Sequence, residues 1–189
     1  MFNSETKSSA GKASAFNVRR LVVSAACIGL ATVLSMIKVY EFPFGGSITA
    51  FSMLFICLTG YLYGLRHGLQ CGLVYGILQF VLKPYIYSPI QVVVDYGLAF
   101  TALGLSGFFS EKKAGMSLGY ILGVLGRYFF AVLSGYVFFA EYAWEGWGAL
   151  PYSMAYNGAY IFLEALITLI ILQLPPVRTA IAWIKQMKE

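Results

Sequence analysis

The chain has 189 residues, 59% of them hydrophobic and 11% charged, with a mean hydropathy of +0.74. A soluble domain carries about a quarter charged residues, so this composition excludes an ordinary soluble fold and points to a protein embedded in a bilayer. The formal net charge of +5 does not indicate nucleic acid, because the basic residues sit in tails and short loops, where they bear on membrane orientation.

Residues 1–16 are rich in Ser, Lys and Ala and lack an apolar period; they read as a disordered cytoplasmic tail ahead of a single membrane domain, 17–189. The first apolar run, Leu21–Ile37, continues well past Ser24-Ala25-Ala26-Cys27, which makes it a span and not a cleaved leader. Within it Ala25 and Gly29 form a small-x-x-x-small pair that permits close helix contact, either inside the bundle or with a partner. Pro43 and Gly45-Gly46-Ser47 break the helix between 38 and 49 and predict an outer loop. Further spans are predicted at 50–64, 69–82, 90–109, 117–139 and 151–174, giving an all-α bundle of six transmembrane helices. Spans two and three are short and need tilt or cover. Pro175-Pro176 stops the sixth and leaves a short basic, amphipathic tail.

Lys7, Lys12, Arg19, Arg20, Arg66, Lys112, Lys113, Arg178, Lys185 and Lys188 fall on one side of this arrangement, against Lys38 and Lys83 on the other. The positive-inside rule therefore places both termini in the cytoplasm. Cys27, Cys57 and Cys71 lie inside apolar segments, where they read as small hydrophobes, and with the lone His67 they make no metal site.

Polar residues inside apolar spans are costly and mark function or structure. After Pro151, the residues Ser153, Tyr156, Asn157, Tyr160 and Glu164 stack along one side of a helix, like one wall of a binding site. Arg127 and Glu164 lie at similar depths on consecutive antiparallel spans, and are expected to form a structural ion pair. Asp95, with Gln91 one turn before it, has two readings. It is either a helix-terminal carboxylate satisfied by backbone N–H groups or the charge of a site for an organic cation. In the second, Tyr96, Trp144, Trp147, Tyr152 and Tyr156 supply the rings. Tyr128, Ala131, Gly135 and Phe139 share one face of span five, where Gly135 leaves room for a ligand to approach the backbone.

Gly45-Gly46-Ser47-Ile48-Thr49, Gln91 with Asp95-Tyr96, Arg127-Tyr128 with Gly135, Tyr142-Ala143, and Tyr152-Ser153-Met154-Ala155-Tyr156-Asn157 occur in an order and spacing that resemble one family. It is the thiamin-specific S component of energy-coupling factor (ECF) transporters, formerly described as a proton-coupled thiamin transporter. The resemblance covers about residues 17–175. It implies a membrane subunit of an ABC-type vitamin importer, not an enzyme. Such a subunit binds thiamin tightly from outside and docks on a shared transmembrane coupling subunit driven by two ATP-binding subunits. Thiamin would be cargo, and no cofactor or metal is implied. The absence of a Walker A pattern from the sequence agrees with this division of labour.

By the same resemblance, Asp95, Tyr96, Gly135, Trp144, Tyr152 and Asn157 are ligand-binding positions. Gly45, Gly46 and Ser47 belong to a lid loop, and Ala25 and Gly29 contact the coupling subunit. Two positions depart from the family. Ala131 stands in place of a pocket histidine, and Phe139 in place of a ring-stacking tryptophan found in some members. Phe139 keeps a π-face, whereas Ala131 removes a polar group and leaves space. Weaker thiamin binding, an intervening water, or a related cargo such as a pyrimidine precursor or thiamin analogue are the alternatives.

Three other functions compete with this reading. Gly104-Leu105-Ser106-Gly107 resembles the serine motif of rhomboid intramembrane proteases, but His67 precedes the serine where that family's base follows it. A stand-alone proton-coupled transporter would use Asp95 or Glu164, yet the chain is short and shows no internal inverted repeat. An S component for another vitamin is the main rival.

Overall fold

The computed structural model describes residues 5–112 and 114–186. Residues 1–4 of the expected tail, and Lys113 and Lys188 of the charge bias, lie outside the described residues. Helix α1 runs Glu5–Met36, so the backbone is already helical through most of the stretch expected to be a disordered tail. Ala, Lys and Glu there are good helix formers, and the apolar run that follows supplies a helix for them to extend.

A two-stranded antiparallel ribbon follows, β1 Lys38–Glu41 and β2 Ser47–Thr49, joined by a single 3₁₀ turn at Pro43–Gly45. The predicted outer loop is therefore an ordered hairpin. Gly45 sits at φ +97, a left-handed conformation that a Cβ would strain. Helix α2 (Ser52–Tyr63) and helix α3 (Leu65–Leu82) come next, with Gly64 at φ +85 turning the chain between them. Helix α4 (Pro89–Phe109) opens with Ser88 capping the Gln91 amide at 3.1 Å. It widens into a π-helical turn at Val93–Leu98 and tightens to 3₁₀ over Ala102–Phe109. Helices α5 (Gly115–Phe138), α6 (Ala149–Gln173) and α7 (Pro175–Gln186) complete the chain.

The protein is thus mostly helical, with seven helical segments among the described residues where the sequence predicts six. The seventh is the amphipathic tail, whose Val177, Ile181 and Ile184 pack on the core at one-turn spacing. Among the described residues four segments are long and apolar enough to cross a bilayer: Val18–Met36 within α1, then α4, α5 and α6. α2, with 12 residues, rises only about 18 Å, less than the roughly 30 Å of a hydrocarbon core. It is covered by its neighbours instead: Met53, Ile56, Cys57 and Leu62 are almost wholly enclosed. α3 carries Arg66, His67, Gln70 and Gln79, which lower its hydropathy.

Small residues let α3 and α4 touch backbone to backbone. A Cβ on Gly104 would lie 2.2 Å from the Gly68 carbonyl carbon. Ser106 donates to the Cys57 carbonyl at 2.8 Å, while Nε2 of His67 lies 2.6 Å from Oγ of Ser24. The rhomboid-like serine and the histidine are each engaged elsewhere. Gly104–Gly107 is a packing motif.

Candidate functional site

A cavity of about 400 Å³ opens between the β1–β2 ribbon and the ends of α3 to α6 nearest it. That volume lies within the range of small-molecule sites, about 300–1,000 Å³. The π-helical turn of α4 contributes Asp95 and Tyr96, α5 contributes Arg127, Ala131, Ser134 and Gly135, with Phe139 the residue just after it, and α6 contributes Tyr152, Ser153, Tyr156, Asn157 and Tyr160. The polar stripe read from α6 thus faces the cavity down to Tyr160.

Asp95 is held by its own helix. Gln91, 1% exposed, donates Nε2–H to Asp95 Oδ2 at 2.6 Å and accepts the Tyr87 amide at 3.1 Å. The carboxylate lines the cavity, with Ser134 beside it. A π-turn adds a residue to a helical turn and is frequent at functional sites, and here it falls on the residues that carry the charge and its neighbouring phenol. Tyr96 is tied at the rim: its hydroxyl donates to the Lys83 carbonyl at 2.9 Å and accepts the Tyr85 amide at 3.0 Å.

Phe139 lies at the end of α5 among Tyr85, Tyr87 and Tyr142, with centroids 5.5–6.1 Å away. Tyr152 stacks on Tyr156 at 5.9 Å and 27°. Trp144 is not on the wall. It is 55% exposed and packs edge-on against Trp147 and Tyr152, so it buttresses a cavity ring instead of lining the cavity. Gly135 lines the cavity, but the close approach it permits is by α6. A Cβ there would meet Ser153 Oγ at 2.2 Å. Asn157 spends its amide inside the protein, on Ser153 O at 3.0 Å and Ala131 O at 3.3 Å, and its Oδ1 accepts from Tyr160 at 2.6 Å. One Oδ1 lone pair remains for a ligand.

The expected Arg127–Glu164 ion pair is not formed. The Arg127 guanidinium lies over the Phe100 ring at 4.6 Å and faces the cavity. Glu164, 3% exposed, accepts the Thr49 amide at 2.9 Å and the Thr49 hydroxyl at 2.8 Å, with Ser52 at 3.5 Å. Equal depth on neighbouring helices fixes height and not azimuth, and the ribbon's polar groups reach the carboxylate first. Among the described residues the ion pair is Lys38–Glu41, at the cavity mouth. Lys38's hydrogen bond holds the Glu41 carboxyl below its ordinary range, and burial, then the neighbouring Lys38, lowers Lys83.

Gly45, Gly46 and Ser47 line the cavity from the ribbon. The Gly46 amide donates to the Tyr156 hydroxyl at 3.0 Å, and that hydroxyl donates to the Pro43 carbonyl. A Cβ on Gly46 would come within 2.8 Å of Tyr156 and Tyr160. Residues not predicted for the site include Ser35, Tyr75 and Gln79, joined across α1 and α3 by a Gln79–Ser35 hydrogen bond of 2.9 Å. Their signal was polar groups one turn apart near the ends of apolar runs. Ala25 and Gly29 lie on an exposed face of α1, away from the cavity.

A half-polar, aromatic-walled cavity enclosed by helices able to span a bilayer defines the class: a multi-pass membrane protein that holds a small solute within its own bundle. The model of the thiamine transporter protein (Thia_YuaJ) family matches residues 21–182, and the chain belongs to that family. It is 32% identical over 169 residues to the thiamine transporter ThiT of Bacillus subtilis (strain 168), covering 81% of this chain and 88% of that one. Against the thiamine transporter ThiT of Lacticaseibacillus paracasei it is 30% identical over 125 residues, 57% of this chain and 62% of that one. A solved structure of ThiT from Listeria monocytogenes superposes with a TM-score of 0.68 at 28% identity, covering 85% of this chain and 96% of that one.

Proposed function

We propose that this chain is the thiamin-binding membrane subunit of an ECF-type importer. It captures thiamin with high affinity from outside and passes it to a coupling subunit driven by two ATP-binding subunits. In this reading the bundle makes six crossings, counting the short α2 and α3, with both termini cytoplasmic and the ribbon external. Asp95 meets the ligand's positive charge. Tyr152 and Phe139 offer ring faces, Asn157 offers one acceptor, and Tyr96 closes the rim. Trp144 acts through Tyr152. Ala131 leaves room that a histidine would fill.

The observation that carries the reading is Asp95: a carboxylate fixed by Gln91 and lining a ring-walled cavity, in a chain of a thiamine transporter family. An organic cation with flat rings satisfies both features. Tryptophan fluorescence of the detergent-purified protein tests it, since Trp144 touches a cavity ring. Titration with thiamin is expected to quench and to saturate at one per chain. A response only to pyrithiamin or to the free pyrimidine would retain the fold and replace the cargo.

A further inference from the structure

Ser134 is 1% exposed, faces the cavity from α5, and its Oγ makes no well-formed hydrogen bond, although the Asp95 carboxylate lies beside it. An enclosed hydroxyl without a partner costs free energy, and such groups in native proteins have a reason. The other polar groups near it are engaged. Gln91 is used at both ends, by Asp95 and by the Tyr87 amide. Ser153 donates to the Val132 carbonyl at 2.8 Å, and the Asn157 amide is committed to backbone. Ala131, one turn before Ser134 on the same helix, offers no polar atom. Beside the Arg127 guanidinium, which faces the cavity from over Phe100, the wall around Asp95 therefore presents two functions side by side: a carboxylate that accepts, and a hydroxyl that donates once and accepts twice.

We infer that Ser134 is a specificity-determining ligand contact, which with Asp95 reads the amino edge of an aminopyrimidine ring. That edge carries an N–H donor on the exocyclic amine next to a lone pair on the ring nitrogen. The carboxylate accepts a hydrogen bond from the amine N–H, and the Ser134 hydroxyl donates one to the ring nitrogen. A hydroxyl able to do this makes the site discriminate between rings that differ by one atom, because the mismatched ring leaves Ser134 buried and unsatisfied. The inference deepens the thiamin reading and rests on it.

The test is a two-by-two cycle on the full-length protein in detergent. Parent and Ser134→Ala are each titrated with thiamin and with the analogue whose ring nitrogen beside the amino group is replaced by C–H. Each single change is expected to weaken binding about tenfold, and the two together no more than either alone, since both remove one interaction. The apo thermal midpoint of Ser134→Ala should stay close to the parent's, because the hydroxyl makes no well-formed hydrogen bond there. Parent-like thiamin affinity in Ser134→Ala overturns the inference, as do losses that simply add. So does a lowered apo midpoint with unchanged affinity, which would mark Ser134 as structural. If the parent itself ignores thiamin, the proposed cargo falls and this inference falls with it. If the parent binds and Ser134→Ala binds equally, only the role of Ser134 is lost.

Discussion

Asp95 stands out in the sequence because a carboxylate within an apolar run demands a compensating group, and Gln91 at i−4 is placed to supply it. Replacing Asp95 by Asn keeps the size and removes the charge, and it turns an amide toward the Gln91 amide. Thiamin affinity is expected to fall by more than about tenfold, or 1.4 kcal/mol. The same fluorescence titration measures it, and parent-like binding would remove the charge from the account. Other residues were less legible. Ser134 looks like any helix serine until its enclosure beside Asp95, without a well-formed hydrogen bond, is seen. Trp144 was assigned to the wall by resemblance, but its exposed position over Tyr152 depends on the loop path, which residue type does not encode. The Arg127–Glu164 pairing followed from depth alone and missed the ribbon that reaches Glu164 from sequence position 49.

The β1–β2 ribbon carries the next consequence, at the scale of elements. It is fastened at two heights of one helix: Tyr156 holds its tip through Gly46 and Pro43, and Glu164 holds its root through Thr49. Just beyond the root, Phe51 adopts φ +63 as the chain enters α2, an uncommon conformation for a side chain of that size and one the surroundings must enforce. Glu164→Ala would strip the Thr49 amide of its acceptor and leave the Thr49 hydroxyl only Ser52, 2.8 Å away, at a cost of about 1–3 kcal/mol for the amide left unpaired. If the ribbon is the lid of the proposed thiamin site, a bound ligand must displace it to leave. Dissociation of thiamin, followed by stopped-flow chase, is therefore expected to accelerate by at least about tenfold. Association should change less, and Glu164→Gln, which keeps a carbonyl acceptor, should fall between. An unchanged dissociation rate would detach Glu164 from the lid. The helices themselves were legible from apolar runs, and the break at 38–49 from its Pro and Gly. The ribbon was not, because four residues and three make a strand pair only once a partner surface is present. The π-turn at Val93–Leu98 likewise has no periodicity of its own in so short a stretch.

For the whole molecule, the sequence carried the class and the order of the spans more securely than their number, since α2 is too short to cross alone and the tail folds back as a helix on the core. What the packed bundle adds is a division of its surface. The cavity and ribbon occupy one end, whereas α1 leaves Leu21, Val22, Ala25, Gly29, Leu30 and Val33 uncovered along its outer side. A Cβ built on Gly29 meets nothing within 4 Å. A large residue at 29 therefore disturbs no packing in this chain, and replacing a mid-helix glycine favours the helix by up to about 1 kcal/mol. If the proposed coupling subunit seats on this face, the small residues are there for the partner, whose helix needs close approach. Gly29→Leu is then expected to leave thiamin affinity and the apo thermal midpoint at or above the parent's values. ATP-dependent uptake of labelled thiamin by cells holding the coupling and ATP-binding subunits should fall by at least about tenfold. Binding retained with transport lost would separate capture from delivery on opposite parts of one small bundle. Uptake at the parent's rate would move the docking face off α1 altogether.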